Sequence, residues 1–173
     1  MDLGLKRGSV KLVAHNPKWK IHFEREKEYL LQHFPDIFVE ISHGGSTALP
    51  NISAKPIIDM FATVSSLDHA ERIEGDLEKL GYEYRGEEGV SERRLYVKGD
   101  RANRTHHLHL VEVDSREWNN HLLVKNYFLK HPEEAQEYGK LKESLAKKFP
   151  EDRKSYTSGK DNFVKGIIEK AKS

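Results

Sequence analysis

The sequence predicts an α+β fold, in which a mixed β-sheet of about five strands packs against helices. Two observations predict it. Short apolar runs bounded by turn residues, which are typical of strands, recur through the first two thirds of the chain and alternate there with helical segments. From residue 115 onward the apolar pattern is helical. The predicted strands span residues 37–41, 57–64, 82–84, 93–98 and 106–113.

Capping residues predict where the helices begin and end. Asn16 and Pro17 suit the N-cap and the first position of a helix that ends near residue 34. Gly81 suits the left-handed position that ends the next helix. Ser158 and Asp161 resemble a capping pair at the start of the last one. The other predicted helices span residues 67–80, 115–130, 132–148 and 160–170.

Composition limits the class of protein. Lys and Arg total 29 against 28 acidic residues, so the net charge gives no overall attraction to nucleic acids or membranes. The chain has no cysteine, which excludes disulfides and thiol catalysis. No apolar run is long enough to span a bilayer or to act as a secretory signal, and we therefore expect a cytoplasmic protein.

We expect a single domain, because the 173 residues contain no linker-like segment. The part that carries the sheet is expected at about residues 10–114, followed by helices at about 115–171. Residues 1–9 are interpreted as a frayed end or an edge extension, and residues 10–14 as a short strand.

Residues 43–60 carry the strongest chemical signal. Gly45 follows a predicted strand and lets the backbone turn and approach a ligand closely. Ser46 and Thr47 favour a helix start, where free backbone N–H groups bind phosphate. The next apolar run carries Asp59, a charge that is costly on a buried strand unless it is paired or bound to a cation. The stretch therefore predicts a phosphate or metal-phosphate site.

These residues resemble the signature of the nucleotidyltransferase superfamily, in which Gly-Ser and a spacer precede two acids separated by one residue. More closely, His-x-Gly-Ser-Thr-x-x-Pro-x-x-x-x-Lys-Pro-Ile-Ile-Asp at residues 43–59 resembles the bacterial GrpB family, a poorly characterised branch of that superfamily. The resemblance implies a nucleotidyltransferase-like sheet, a cap formed by the C-terminal helices, and a nucleotide or phosphorylated small molecule as ligand. It extends over about residues 10–171, with further motifs at residues 106–110, 117–122, 125–132 and 156–160.

Asp59 is the candidate catalytic residue, as a metal ligand or as the electrostatic centre of phosphoryl chemistry. Alternatively, it pairs with Lys55 or Arg94. The second acid of the superfamily pattern should lie two residues on, on the same face of the strand, where this chain has Phe61. Since a two-metal transfer needs both carboxylates, either other residues replace the second acid or that chemistry is absent.

Three histidines lie together on the last predicted strand. His107 and His109 share one face, and His106 points to the other. With Asp59, two imidazoles on one face form a plausible site for a divalent metal such as Mg²⁺, Mn²⁺, Zn²⁺ or Fe²⁺. Two other interpretations stay open: the imidazoles bind phosphate, or they are satisfied polar residues of the sheet.

Further polar side chains complete the predicted site. Lys55 is either a ligand-facing cation or the partner of Asp59, and Arg94 faces the site only if Tyr96 does. Lys160 is a candidate phosphate ligand reaching in from the last helix. The candidate substrate-binding residues are Gly45, Ser46, Thr47, Lys55, Arg94, Tyr156 and Lys160.

Two functions from different classes remain open at this point. The first is a nucleotidyl- or phosphoryl-transferase that acts on a nucleotide or phosphorylated small molecule. The second is a non-catalytic regulatory or accessory domain that binds a nucleotide, another anion or a metal. The occasional fusion of GrpB-like sequences to dephospho-coenzyme A kinase makes the second reasonable by analogy.

Overall fold

The computed structural model describes residues 3–173 and has an α+β architecture with a five-stranded mixed sheet and six helices in that range. Residues 1 and 2, which belong to the predicted N-terminal extension, lie outside the described residues. The strands are β1 (Phe38–Gly44), β2 (Ile58–Val64), β3 (Tyr82–Tyr84), β4 (Arg93–Lys98) and β5 (His106–Glu112). The helices are α1 (Lys18–His33), α2 (Leu67–Arg72), α3 (Glu74–Lys79), α4 (Arg116–Lys130), α5 (Pro132–Lys148) and α6 (Arg153–Lys172).

The strand order β1-β2-β5-β4-β3 places the two strands with candidate site residues side by side at the centre of the sheet. β2 and β5 run parallel, and the other neighbours are antiparallel. In this register Asp59 lies opposite His107, and Phe61 lies opposite His109. The predicted shared face of His107 and His109 is therefore confirmed, and the register puts Asp59 on that face with them.

Alternation along β2 and β5 divides their side chains between two layers. Ile58, Met60, Leu108 and Leu110 face the main hydrophobic core, where they pack with aromatic and aliphatic residues of α1 such as Trp19. The residues between them face the opposite side of the sheet. That second side is the one on which Asp59, His107 and His109 meet.

The C-terminal helices form a second, smaller core with the loop that precedes β2. Its buried members come from this loop and from all three helices: Leu49, Ile52, Phe128, Ala135, Tyr138 and Ile167. α4, α5 and α6 contact one another, and α4 also contacts β2 and β5. The helices thus lie beside the face that carries Asp59. Across residues 3–173, none of the helices combines the length and the apolarity that crossing a bilayer requires.

The described part of the N-terminal segment is an edge extension rather than a frayed end. Leu5 pairs with Arg104 in an isolated bridge and is only 7% exposed. The predicted strand at residues 10–14 is wrong, because only Val13 pairs there, again in an isolated bridge, with Ala54.

The last helix begins seven residues earlier than predicted, at Arg153. Asp152 caps it, since its carboxylate accepts a hydrogen bond from the Ser155 backbone N–H at 3.0 Å. The expected capping pair of Ser158 and Asp161 is therefore wrong, and both residues lie inside the helix.

Candidate functional site

A pocket of about 500 Å³ lies between the Asp59 face of the sheet and the helices α5 and α6. Its wall is strongly basic. Eight lysines and arginines line it against two acids, Asp59 and Glu88. The basic residues come from the N-terminal segment, four loop or strand regions and both helices: Arg7, Lys55, Arg85, Arg93, Arg104, Lys142, Arg153 and Lys160.

Asp59 lies in the pocket wall, next to two histidines. Its Oδ1 lies 3.1 Å from Nε2 of His109 and 3.4 Å from Nδ1 of His107. Burial alone would raise the pKa of this carboxyl, but the hydrogen bonds from the two imidazoles outweigh burial and hold the pKa well below its ordinary value. Asp59 is thus a carboxylate at neutral pH, and its hydrogen-bond partners are the histidines rather than Lys55 or Arg94.

The two imidazoles are each held between Asp59 and an arginine. Arg93 Nη1 lies 3.3 Å from Nδ1 of His109, and Arg153 Nη2 lies 3.5 Å from Nε2 of His107. Arginine only donates hydrogen bonds, so each outer ring nitrogen accepts and each inner ring N–H points at Asp59. Burial is the main cause that lowers the pKa of His107, which favours its neutral form.

The donor set fits a single divalent cation under one condition. The inner nitrogens of His107 and His109 and a carboxylate oxygen of Asp59 lie within 4.8 Å of one another. Donors that share one ion at about 2.1 Å are about 3.0–3.4 Å apart, which agrees with the distances to Asp59. A metal-bound neutral imidazole keeps its proton on the outer nitrogen, so the two arginines would have to turn away from the rings.

Phe61, two residues after Asp59 on β2, is engaged in packing with the two adjoining imidazoles. Its ring stacks in parallel on His109, with centroids 4.3 Å apart, and on His121 of α4, at 4.1 Å. The Nε2 of His121 in turn lies 3.0 Å from Oγ of Ser42. Phe61 therefore fixes the ring plane of His109 and connects it to the first C-terminal helix.

Two consecutive glycines allow this arrangement. A side chain at Gly44 would collide with the ring of Phe61, and one at Gly45 would collide with the carboxylate of Asp59. Gly45 also has a φ of 61°, which lies in the left-handed region that favours glycine. The Gly-Gly pair is thus needed both for the turn and for the close approach to the two β2 side chains.

The residues after the glycines form a single short 3-10 turn, Ser46–Ala48. Both hydroxyl residues line the pocket. Thr47 is buried and its Oγ1 lies 2.9 Å from Nε2 of His43, so this hydroxyl already has a protein partner. Ser46 is in hydrogen-bond contact with the Tyr138 hydroxyl.

The structure brings together the other candidates from the C-terminal part of the chain. Lys55 and Lys160 both lie over the ring of the buried Tyr156, with Nζ atoms 5.2 and 4.5 Å from its centroid. Burial, followed by the nearby charges of Arg153 and Lys160, lowers the pKa of Lys55 to about 7. Burial is also the main cause that lowers the pKa of Lys160 to about 8.

The sequence agrees with a known family over almost its whole length. The model of the family described as GrpB protein matches residues 9–170. The chain belongs to the GrpB family. It is 35% identical over 170 residues to the glutamate-rich protein GrpB of Alkalihalophilus pseudofirmus, covering 96% of this chain and 98% of that protein.

Two further similarities support this membership. YqkA of Bacillus subtilis is 39% identical over 163 residues, which cover 94% of this chain but 47% of YqkA, so this chain spans about half of that relative. The crystal structure of the conserved protein GrpB from Enterococcus faecalis superposes with a TM-score of 0.86 at 37% identity, covering 93% of this chain and 96% of that one. The described fold is therefore a GrpB fold.

Arg94 is the predicted site residue that the structure places elsewhere in this GrpB chain. It faces the opposite side of the sheet, where it forms ion pairs with Glu71 and Glu74 and donates to the Tyr96 hydroxyl. The expected position in the site was wrong because Tyr96 faces the main core. The neighbouring Arg93 lines the pocket instead.

Sequence reasoning also missed Lys142 and Arg153. Lys142 lies in the middle of α5 and is 1% exposed, whereas the neighbouring Lys140 faces solvent. Its helical spacing from the buried Tyr138, four residues before it, is the one signal that indicated burial. Arg153 was assigned to a break between helices, whereas it forms the first turn of α6.

Proposed function

We propose that this chain is a nucleotidyl- or phosphoryl-transferase that binds a nucleotide or another phosphorylated small molecule in the basic pocket. One observation carries the proposal: a carboxylate held by two imidazoles lies in a pocket wall with eight basic side chains and only one other acid. Such a wall attracts phosphates and neutralises charge that develops on their oxygens during transfer. Arg93, Arg153 and Lys160 are the side chains placed to do this.

Asp59 would serve this chemistry as a fixed negative charge rather than as a base. Its low pKa makes it a weak proton acceptor at neutral pH, whereas a permanent carboxylate is well suited to hold a cation. We propose that Asp59, His107 and His109 together bind one divalent metal, Mn²⁺ or Zn²⁺ in preference to Mg²⁺ because of the two nitrogen donors. Such an ion would supply charge neutralisation for the phosphates.

Metal titration tests this assignment directly. Protein purified without a His-tag and stripped of metal is expected to bind about one equivalent of Mn²⁺ or Zn²⁺ by calorimetry. His109→Gln should weaken binding by more than about tenfold. The matched control is His106→Gln, because His106 is on the same strand but faces the main core. No titratable ion in the wild type would overturn the metal site.

The non-catalytic binding domain remains the second candidate, and Phe61 favours it. With a stacked phenylalanine at the second acidic position, the two carboxylates of a two-metal transfer are not both present on β2. A domain of this kind would use the same pocket to bind the anion without transferring a group.

A thermal-shift screen separates the two candidates. The wild type, Asp59→Asn and the control Glu88→Gln would be heated with ATP, inorganic phosphate and tripolyphosphate, each with and without Mn²⁺. Ligands of the native state raise the melting temperature by mass action. A metal-dependent rise that Asp59→Asn abolishes, together with ³¹P-detected turnover of ATP, supports the transferase.

The other outcomes have equally definite meanings. A metal-independent rise that survives in Asp59→Asn, without turnover, favours the binding domain. No change of melting temperature with any phosphate compound would overturn both candidates.

A further inference from the structure

Five cationic side chains of the pocket are buried or partly buried and have no carboxylate partner among residues 3–173. Across residues 3–173, none of the lysines 55, 142 and 160 lies within 4.0 Å of an acidic group. Arg93 donates to backbone carbonyls of Glu87 and Glu88, and Arg153 approaches only an imidazole. By contrast, Arg85 and Arg104 of the same wall are paired with Glu83.

The three lysines, which we call the lysine cluster, are gathered from separate parts of the chain. Lys55 precedes β2, Lys142 lies in α5 and Lys160 lies in α6. Lys142 is 1% exposed and donates to the Ser53 carbonyl. Burial, followed by the charge of Lys160, lowers the pKa of Lys142 to about 7. Buried cations without counterions are costly, and a ligand with several negative charges would remove that cost.

The aromatic rings of the pocket have no free face for a nucleobase. Tyr156 is 1% exposed and carries lysine ammonium groups over its ring. Tyr138 stacks on Phe128 and Phe163, with ring centroids 5.1 and 5.5 Å away, and the ammonium of Lys142 lies 5.2 Å from its centroid. Within the described residues, the tyrosines of the wall are therefore already covered.

We infer that the pocket recognises a chain of at least three linked phosphates and does not discriminate between nucleobases. This inference rests on the proposed function and specifies its ligand class. A single phosphate carries at most about two negative charges and would leave most of the five cations uncompensated. A triphosphate carries about twice that charge. Inorganic tripolyphosphate and the common nucleoside triphosphates then share the same determinants.

Calorimetric titration at fixed ionic strength tests the inference. The probes are inorganic tripolyphosphate, ATP, GTP, CTP and orthophosphate. Tripolyphosphate and the three nucleotides should have dissociation constants within about threefold of one another, and orthophosphate should bind more than tenfold more weakly. A nucleotide that binds more than tenfold more tightly than tripolyphosphate overturns the inference but leaves the proposed function in place. Absence of binding by all five anions, in titrations both without and with Mn²⁺, overturns both.

Two substitutions test whether the lysine cluster is responsible. Lys142→Met should weaken tripolyphosphate binding by at least tenfold, because it removes the most buried cation. Lys140→Met is the matched control, since Lys140 is on the same helix, 71% exposed and paired with Glu137. Lys160→Met repeats the test from another helix if Lys142→Met does not fold. Unchanged affinity in either folded cluster variant would contradict the inference.

Discussion

On the face of the sheet that meets α1, the buried Glu26 accepts hydrogen bonds from Tyr82 and Lys98, both at 2.7 Å. On the opposite face, Lys142 is 1% exposed, and the hydrogen-bond acceptor of its ammonium is the Ser53 carbonyl and not a carboxylate. The adjacent Arg94 and Arg93 show the same contrast. Arg94 forms ion pairs with two glutamate carboxylates, whereas Arg93 bonds an imidazole and backbone carbonyls. The charges of Glu26 and Arg94 are thus compensated by oppositely charged side chains, whereas Lys142 and Arg93 have no carboxylate partner among residues 3–173.

The largest expected change in the free energy of unfolding follows removal of Glu26, the compensated charge on the first face. Glu26→Gln leaves Lys98 without its buried counterion and should lower the free energy of unfolding by about 3–5 kcal/mol, measured by urea denaturation. Glu71→Gln is the control, because Glu71 pairs with Arg94 while 68% exposed, and its loss should cost less than about 1 kcal/mol. Equal effects of the two variants would contradict the assignment of Glu26.

Removal of Lys142, the uncompensated charge, should instead raise the free energy of unfolding. Lys142→Met eliminates a buried ammonium, while the half-buried Ser53 carbonyl can turn to water. In phosphate-free buffer the free energy of unfolding should rise by on the order of 1–4 kcal/mol. A loss of stability in urea denaturation would show that Lys142 is compensated within the protein itself.

Stability should also depend on pH through this lysine. Its pKa is lowered from 10.5 to about 7 by folding, so between these values the unfolded chain binds more protons than the folded one. The free energy of unfolding of the ligand-free wild type should therefore rise with pH between about 7 and 10, by up to ~1.4 kcal/mol per pH unit from Lys142. In Lys142→Met the free energy of unfolding should rise less steeply with pH, by the contribution of Lys142. Identical slopes in the two proteins would refute the lowered pKa of Lys142.

The smallest expected effect concerns the two adjacent arginines. Arg93→Met should weaken tripolyphosphate binding by about tenfold, which corresponds to the loss of one charge-assisted contact. Arg94→Met should leave the affinity unchanged, because that side chain lies on the other face. Calorimetric titration of both variants with tripolyphosphate measures the difference. An equal loss of affinity in the two would mean that binding depends on the net charge of the protein and not on the position of Arg93.

The sequence predicted which side chains of β5 share a face, because local periodicity decides it. Two-residue alternation on β5 was enough to place His107 and His109 on one face, whereas the pairing of β5 with the strand that carries Asp59 is a tertiary feature that alternation does not reveal. Alternation could not decide between Arg93 and Arg94, since parity gives two faces but does not say which one meets the helices. That choice depends on which face of β4 packs against α2.

The predicted start of the last helix was wrong for another reason. The Ser-Gly pair at residues 158 and 159 is typical of a helix start or a turn. In the structure, Gly159 lies inside α6, where a side chain would collide with Leu145 of α5. The glycine serves close packing between two helices, which is a tertiary requirement that local sequence does not reveal.

The stack of Phe61 between His109 and His121 makes the site observable by NMR spectroscopy. The two imidazoles lie face to face with the phenyl ring, at 4.3 and 4.1 Å, so its ring current shifts their carbon-bound protons upfield. Histidine protons are resolved from most of the spectrum in a protein of 20.0 kDa, and only these two of its ten histidines stack on this ring. Any ligand that displaces the His109 ring would thus be detected at that residue, without a label and before any reaction is known.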